Sequence, residues 1–227
     1  MKNKIPLFLA CLFSLIFSNV KAQKTDKQTW LTLGLTLPLH EKIEFAFENE
    51  MRFIHNTTMF GRNQAEFELC YLQNEQWSFG LGYRAKTTYP MSDYSFVEHR
   101  WLADIMWKTR VKRLRINTRL RVLNDQESFV GEPMEELMHR EKIRFAYKIR
   151  KSPFLLYTAV ETYFPLHSQQ LFELRKLRMV AGTRIQIAKQ TRATFDIIYD
   201  CEFNRNINEK VLAIQIGFTY NLGKSEE

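Results

Sequence analysis

Apolar and polar residues alternate along most of this chain, most clearly over residues 113–149. In the first part of that stretch Leu114, Ile116, Thr118, Leu120 and Val122 share one parity. Arg113, Arg115, Asn117, Arg119 and Arg121 share the other. At about 100° per residue neither set would form a helical stripe, whereas a strand sends the two sets to opposite faces. The rhythm resumes from Arg140 to Ile149. One face is apolar and the other carries dense positive charge.

The same period of two predicts strands over residues 30–37, 42–53, 64–71, 77–86, 100–108, 113–123, 140–149, 154–164, 176–187, 192–202 and 212–222. Tight turns fall at 38–41, 73–76, 109–112, 150–153 and 188–191. Longer connections fall at 54–63, 88–98, 124–138 and 165–173, with the acidic 124–138 the longest. No repeat, low-complexity linker or domain boundary interrupts the series, so the pattern predicts one all-β domain, a single antiparallel barrel.

Alternation leaves two barrels open. A lipocalin-like soluble barrel turns its apolar face inward, and a membrane barrel turns it outward. Three features favour the membrane barrel. The segments run to roughly ten residues, matching the ~9–11 a tilted strand needs to cross a bilayer, against ~5–6 in soluble strands. Short and long connections alternate, as periplasmic turns and external loops do. Aromatic residues lie near many segment ends, among them Trp77, Tyr83, Trp101, Trp107, Phe154, Phe164, Tyr199 and Tyr220, where interfacial girdles form. Eleven segments conflict with the even strand number of single-chain bacterial barrels. With short turns in the periplasm, the first segment would also have to start outside. The expectation is therefore ten or twelve strands.

The first residues change the picture by adding an address. Lys2 and Lys4 precede an apolar run over residues 5–17, and Val20, Lys21 and Ala22 make a cleavage site. Residues 1–22 are thus expected to be a secretory signal peptide, and 23–227 the outer-membrane barrel domain. No apolar run long enough for a spanning helix follows. Loss of Lys2, Lys4 and Lys21 lowers the net charge from +8 to +5. That charge is moderate and dispersed, so nucleic acid is not an expected partner. Cys70 and Cys201 lie on opposite parities, which argues against a disulfide between them.

Several of these residues carry a family resemblance. They are Trp30 opening the first strand, Glu48, Glu50 and Arg52 on the second, and Gly82-Tyr83-Arg84 on the fourth. Arg100, Arg119 and Arg121, the basic run from Arg140 to Arg144, and Glu161 continue it. Over nearly the whole mature chain the sequence resembles the secreted barrel proteins grouped as domain of unknown function 2490. The resemblance implies a membrane barrel and brings no catalytic residues.

Candidate chemistry is sparse. His40, His55, His139 and His167 fall in or beside connections, and His99 opens a strand on the lipid parity. None pairs with a lumen serine, so no enzyme is expected, an outer-membrane lipid-modifying enzyme or protease being the remote alternative. No histidines show i, i+2 spacing, and neither a metal nor a cofactor is expected. The acidic pairs Glu48 and Glu50, and Glu66 and Glu68, are expected to neutralise nearby arginines rather than hold a cation.

The charged parity is the candidate site. Same-face neighbours on a strand stand about 6.7 Å apart. Two unit charges there repel by roughly 2.5 kcal/mol at an effective dielectric near 20. Arg115, Arg119, Arg121, Arg140 and Arg144 therefore require counter-charges. The carboxylates on the same parity are Glu44, Glu48, Glu50, Glu66, Glu68, Asp104, Glu161, Asp196, Asp200 and Glu202, interleaved with Arg52, Arg84, Arg100, Arg178 and Arg184. The expectation is a cross-lumen salt-bridge network leaving at most a narrow polar passage. Three function classes follow: a narrow channel for small polar solutes, a structural barrel holding a protein partner through external loops, or an enzyme. Outer-membrane lipid is the partner expected in every case.

Overall fold

The computed structural model describes residues 25–89, 95–127, 134–166, 173–204 and 209–223. The expected signal peptide lies outside them. The described residues form β1 (Thr25–His40), β2 (Ile43–Ile54), β3 (Met59–Leu72), β4 (Trp77–Thr88), β5 (Phe96–Val111) and β6 (Leu114–Glu127). They continue with β7 (Met134–Lys148), β8 (Phe154–Pro165), β9 (Lys176–Gln186), β10 (Thr191–Glu202) and β11 (Lys210–Asn221). Successive strands pair antiparallel, and β1 closes the barrel by pairing with β11.

That closure corrects the expected strand number. The barrel has eleven strands, neither ten nor twelve. In an up-and-down meander all odd-numbered strands run the same way, so the first and last must meet in parallel. They do, from Thr25 opposite Lys210 to Thr36 opposite Asn221. β1 is a regular strand of 16 residues, bonded along both edges. Thr25 therefore lies at the end of the longer connections and Asn221 at the end of the short turns.

Three of the four longer connections are also shorter than their composition implied. β3 starts at Met59, and β4 and β5 stay paired up to Thr88 opposite Phe96. The β6–β7 ladder continues to Glu127 opposite Met134, through most of the stretch expected as the longest loop. The fourth is not shortened, since β8 ends at Pro165 and β9 begins at Lys176, where the alternation places it. Backbone pairing needs no apolar side chains, so a ladder can outlast the alternation that reveals it. The two-residue turn between Val111 and Leu114 is made without glycine, Lys112 taking the left-handed conformation at φ 56°.

Packing is inverted relative to a water-soluble protein. Leu33, Phe67, Leu81, Trp101, Ile143, Val160 and Phe218 are all exposed on the outer wall, Leu81 by 69% and Trp101 by 67%. Among the described residues, the largest fully buried side chains are Trp30, Arg121, Glu161 and Asp200. Aromatic residues cluster at both ends of the outer wall. Tyr83 and Trp101 have ring centroids 5.0 Å apart toward the longer connections. Trp77 faces Trp107 in register near the short turns. Cys70 and Cys201 are free.

The inner wall is not uniformly charged. Trp30, Ile198 and Ala213 form one apolar cluster with Val180 and Val211 against it. Leu102, Leu123 and Met138 form a second, beside Tyr163. Ala146, Leu155 and Tyr157 form a third. These patches seal parts of the lumen and confine its polar groups.

Candidate functional site

The lumen holds a cavity of about 500 Å³. Its walls follow from register. Arg119 stands opposite Lys142, and Arg121 opposite Arg140, so β6 and β7 bring four cations together on neighbouring strands. Like charges placed directly opposite destabilise a sheet. The rest of the site is largely the arrangement that offsets this.

Arg121 is the first hub. Its Nε and Nη2 donate to the two Asp104 carboxylate oxygens at 2.7 and 2.6 Å. Its Nη1 donates to Glu66 at 2.8 Å, and its Nη2 also reaches Glu68 at 3.3 Å. Two strands separate β6 from β3, and the reach depends on what β4 presents between them. Gly80 lies in register with both Asp104 and Cys70. A Cβ on Gly80 would meet the Glu68 carboxylate, with the Asp104 Cβ only 3.3 Å away. The bare backbone at Gly80 thus makes the space in which Glu68 approaches. Arg84 completes the group, its Nε donating to Glu66 at 2.7 Å.

Glu161 is the second hub. Arg140 donates to it at 2.8 Å and Arg119 at 3.3 Å, and Arg178 lies 3.9 Å away. Arg178 also donates to both oxygens of Asp200, at 2.7 and 2.8 Å, and Lys176 reaches Asp200 at 3.0 Å. Tyr163 fills the centre, accepting from Arg140 at 3.0 Å and donating to Glu161 at 3.2 Å. Such planar bidentate pairs are among the strongest hydrogen bonds a protein makes.

Smaller groups complete the wall. Arg52 and Gln64 donate to Glu50 at 2.6 and 2.7 Å. Lys86 and Arg100 both hold Glu98 at 2.7 Å. Tyr157 donates to Asp196 while Arg144 lies 4.8 Å over its ring. Trp30 is held between two guanidinium groups, Arg52 at 3.7 Å and Arg178 at 5.0 Å from its ring centroid. Arg178 comes from β9, three strands from β1, so this contact crosses part of the lumen.

Most of the sequence-predicted residues therefore converge. Glu50 with Arg52, Glu66 and Glu68 with Arg84, Asp104 and Arg121, and Arg119, Arg140, Glu161, Arg178 and Asp200 fall into three connected groups. Arg184 and Arg144 line the same cavity. Two residues depart from expectation. Glu48 faces the lumen but makes no hydrogen bond or ion pair among the described residues, so it does not neutralise an arginine by contact. Arg115 stands opposite Arg110 near the short turns, away from the lining of the cavity. Glu98 was read as part of a connection, yet it is a buried lumen carboxylate on β5. Its parity with Arg100 was the available signal. Lys86, Tyr157, Tyr163 and Lys176 also shared the polar parity, without any mark of their partners.

The described histidines stay outside this site, and His167 lies outside the described residues. His99 contacts Tyr83 on the outer wall, and His139 lies 3.6 Å from Glu141 there.

Among solved structures, the barrel resembles a NanC porin, with a TM-score of 0.53 at 12% identity, covering 88% of this chain and 100% of the porin. A weaker likeness, TM-score 0.44 at 8% identity, links 80% of this chain to 84% of the β-domain of the Bordetella autotransporter BrkA. At such identities the likeness to the porin is one of fold. No curated protein matches the sequence. Residues 27–211 match the family model described as Protein of unknown function (DUF2490), and the chain, with its closed barrel and the Trp30, Arg52, Arg121 and Glu161 side chains buried in its lumen, belongs to that family.

Proposed function

We propose that the protein is an integral outer-membrane barrel, exported behind a cleavable signal peptide, whose lumen is a narrow passage for small polar solutes. The membrane location is supported by the outer wall. Leaving a large apolar side chain in water rather than burying it costs roughly 1.5–3 kcal/mol, and this wall exposes them strand after strand. Lipid removes that cost.

The observation that carries the passage reading is the residual space. After the ion pairs form, a polar cavity of about 500 Å³ remains, lined by charged side chains from nearly every strand. The contacts of Arg121 with Glu66 and of Arg178 with Trp30 narrow it. A wide pore is not what this interior supports. Purified protein reconstituted in planar bilayers should show small unitary currents that scale with salt. Silent bilayers, with a protein partner copurifying from native membranes, would favour the structural reading instead. A large open-pore conductance would contradict both.

A further inference from the structure

We propose that the part of the lumen wall formed by Arg119, Lys142 and Arg144 is a binding site for small oxyanions, phosphate or carboxylate, and that it makes the passage anion-selective. The selectivity rests on the passage reading above; the binding does not.

The argument starts from a charge inventory. Of the described residues lining the cavity, fourteen are Lys or Arg and seven are Asp or Glu. Glu98, Asp104, Glu173 and Asp200, which pair with lining cations, bring the carboxylates to eleven and leave three positive charges over. Part of the surplus lies at Arg62 on β3, which has no ion pair among the described residues, and part at the seam of β6 and β7. Arg121 is held by three carboxylates and Arg140 by Glu161. Arg119 has only a share of Glu161, at 3.3 Å. Lys142 stands in register between Arg119 on β6 and Glu161 on β8; it makes no hydrogen bond or ion pair among the described residues, and the Glu161 charge it feels is already shared with Arg140, Arg119 and Arg178. It is partly exposed to the cavity. An ammonium group placed in a polar cavity without a protein acceptor has three donors available for a solute.

The opposite wall gives the site a direction. Around the ring β2 and β7 are five strands apart by one route and six by the other, so they face each other across the lumen. Glu48 on β2 projects into the cavity, exposed and without an ion pair among the described residues. Lys142 lies within its electrostatic range but not in contact. A gap bounded by opposite, uncontacted charges carries a field across the path of a solute. An oxyanion is drawn to the Lys142 side, and Glu48 opposes its entry.

The two charges should therefore act with opposite signs. One unit charge about 5 Å away in water changes the equilibrium for a monovalent ion about fourfold. Reversal potentials under a KCl gradient should show anion preference in the unmutated protein, reduced about fourfold by Lys142→Gln and raised by Glu48→Gln. Separately, inorganic phosphate at matched ionic strength should raise the unfolding temperature of the detergent-solubilised barrel, and less so for Lys142→Gln. Phosphate stabilisation lost in Lys142→Gln, in a barrel that carries no current, would keep the site and remove the passage. Currents with cation preference, or preference indifferent to both substitutions, without phosphate stabilisation, would keep the passage and overturn the site.

Discussion

Arg121 grips Asp104 through two parallel hydrogen bonds of 2.7 and 2.6 Å, from adjacent strands and with less than a tenth of either residue exposed. The same guanidinium also serves Glu66 and Glu68. Its removal would leave Asp104 and Glu68 without their guanidinium, while Glu66 keeps Arg84. Breaking a buried pair by deleting one partner typically costs ~3–5 kcal/mol, because the survivor is left uncompensated. Arg121→Ala is expected to lower the unfolding temperature, measured by the gel shift between folded and heated barrel. Arg121→Lys keeps the charge but loses the planar fork, and should fall between the two. Equal stability of Arg121→Ala and the unmutated protein would show that the hub is dispensable.

The outer wall makes a separate prediction. Leu81 is 69% exposed in the middle of β4. An arginine at the bilayer midplane on a barrel's lipid face costs about 2–4 kcal/mol. Leu81→Arg should impair assembly into the membrane, read as loss of the alkali-resistant, heat-modifiable form, while Leu81→Phe should not. Tolerance of the arginine would place this wall in water.

Much of this architecture was legible in the alternation, because a lipid-facing wall forces every second residue to be apolar. Ile116 and Arg119 could be assigned to opposite faces without any structure. Strand ends were less legible. Near the rim the outward side chains need not be apolar, as His99 illustrates, and Glu98 was lost to a presumed loop although its backbone stays in the ladder. Partners were the least legible. Parity places Arg121 and Glu68 in the same lumen, but the space left at Gly80 is what lets them meet. Glu48 shows the converse: its parity was right and its expected neutralising contact is absent among the described residues. The alternation shows eleven segments, and what argues against that number is only the even-number habit of bacterial barrels and the side on which the first segment would have to start. Backbone groups pair in either direction, and β1 pairs in parallel with the whole length of β11, from Thr25 to Thr36.

The odd strand number predicts an asymmetry of the termini. Thr25 and Asn221 lie at opposite ends of the barrel. An epitope inserted before Thr25 and one placed after Asn221 should therefore be reachable from opposite sides of the membrane. If the longer connections are external, antibody on intact cells should bind the first epitope and not the second. Access to both from one side would mean an even number of crossings.

The last prediction concerns the space beside Asp196. Gly182 on β9 lies in register with Asp196 on β10, and a Cβ there would press into the Asp196 carboxylate and lie 2.9 Å from the Phe195 carbonyl oxygen. That carboxylate accepts the hydroxyl of Tyr157, which is 8% exposed and packed with Ala146 and Leu155. Gly182→Ala should displace the carboxylate and leave both groups poorly paired. Overpacking alone typically costs ~1–3 kcal/mol, and an unsatisfied buried polar group adds ~1–3 kcal/mol. Most of the crowding comes from the carboxylate, while the contact with the Phe195 carbonyl stays, so Gly182→Ala should cost less, though still something, in an Asp196→Ala background. A double-mutant cycle on unfolding temperature measures that coupling. Strictly additive losses would show that the glycine is not there to make room for Asp196.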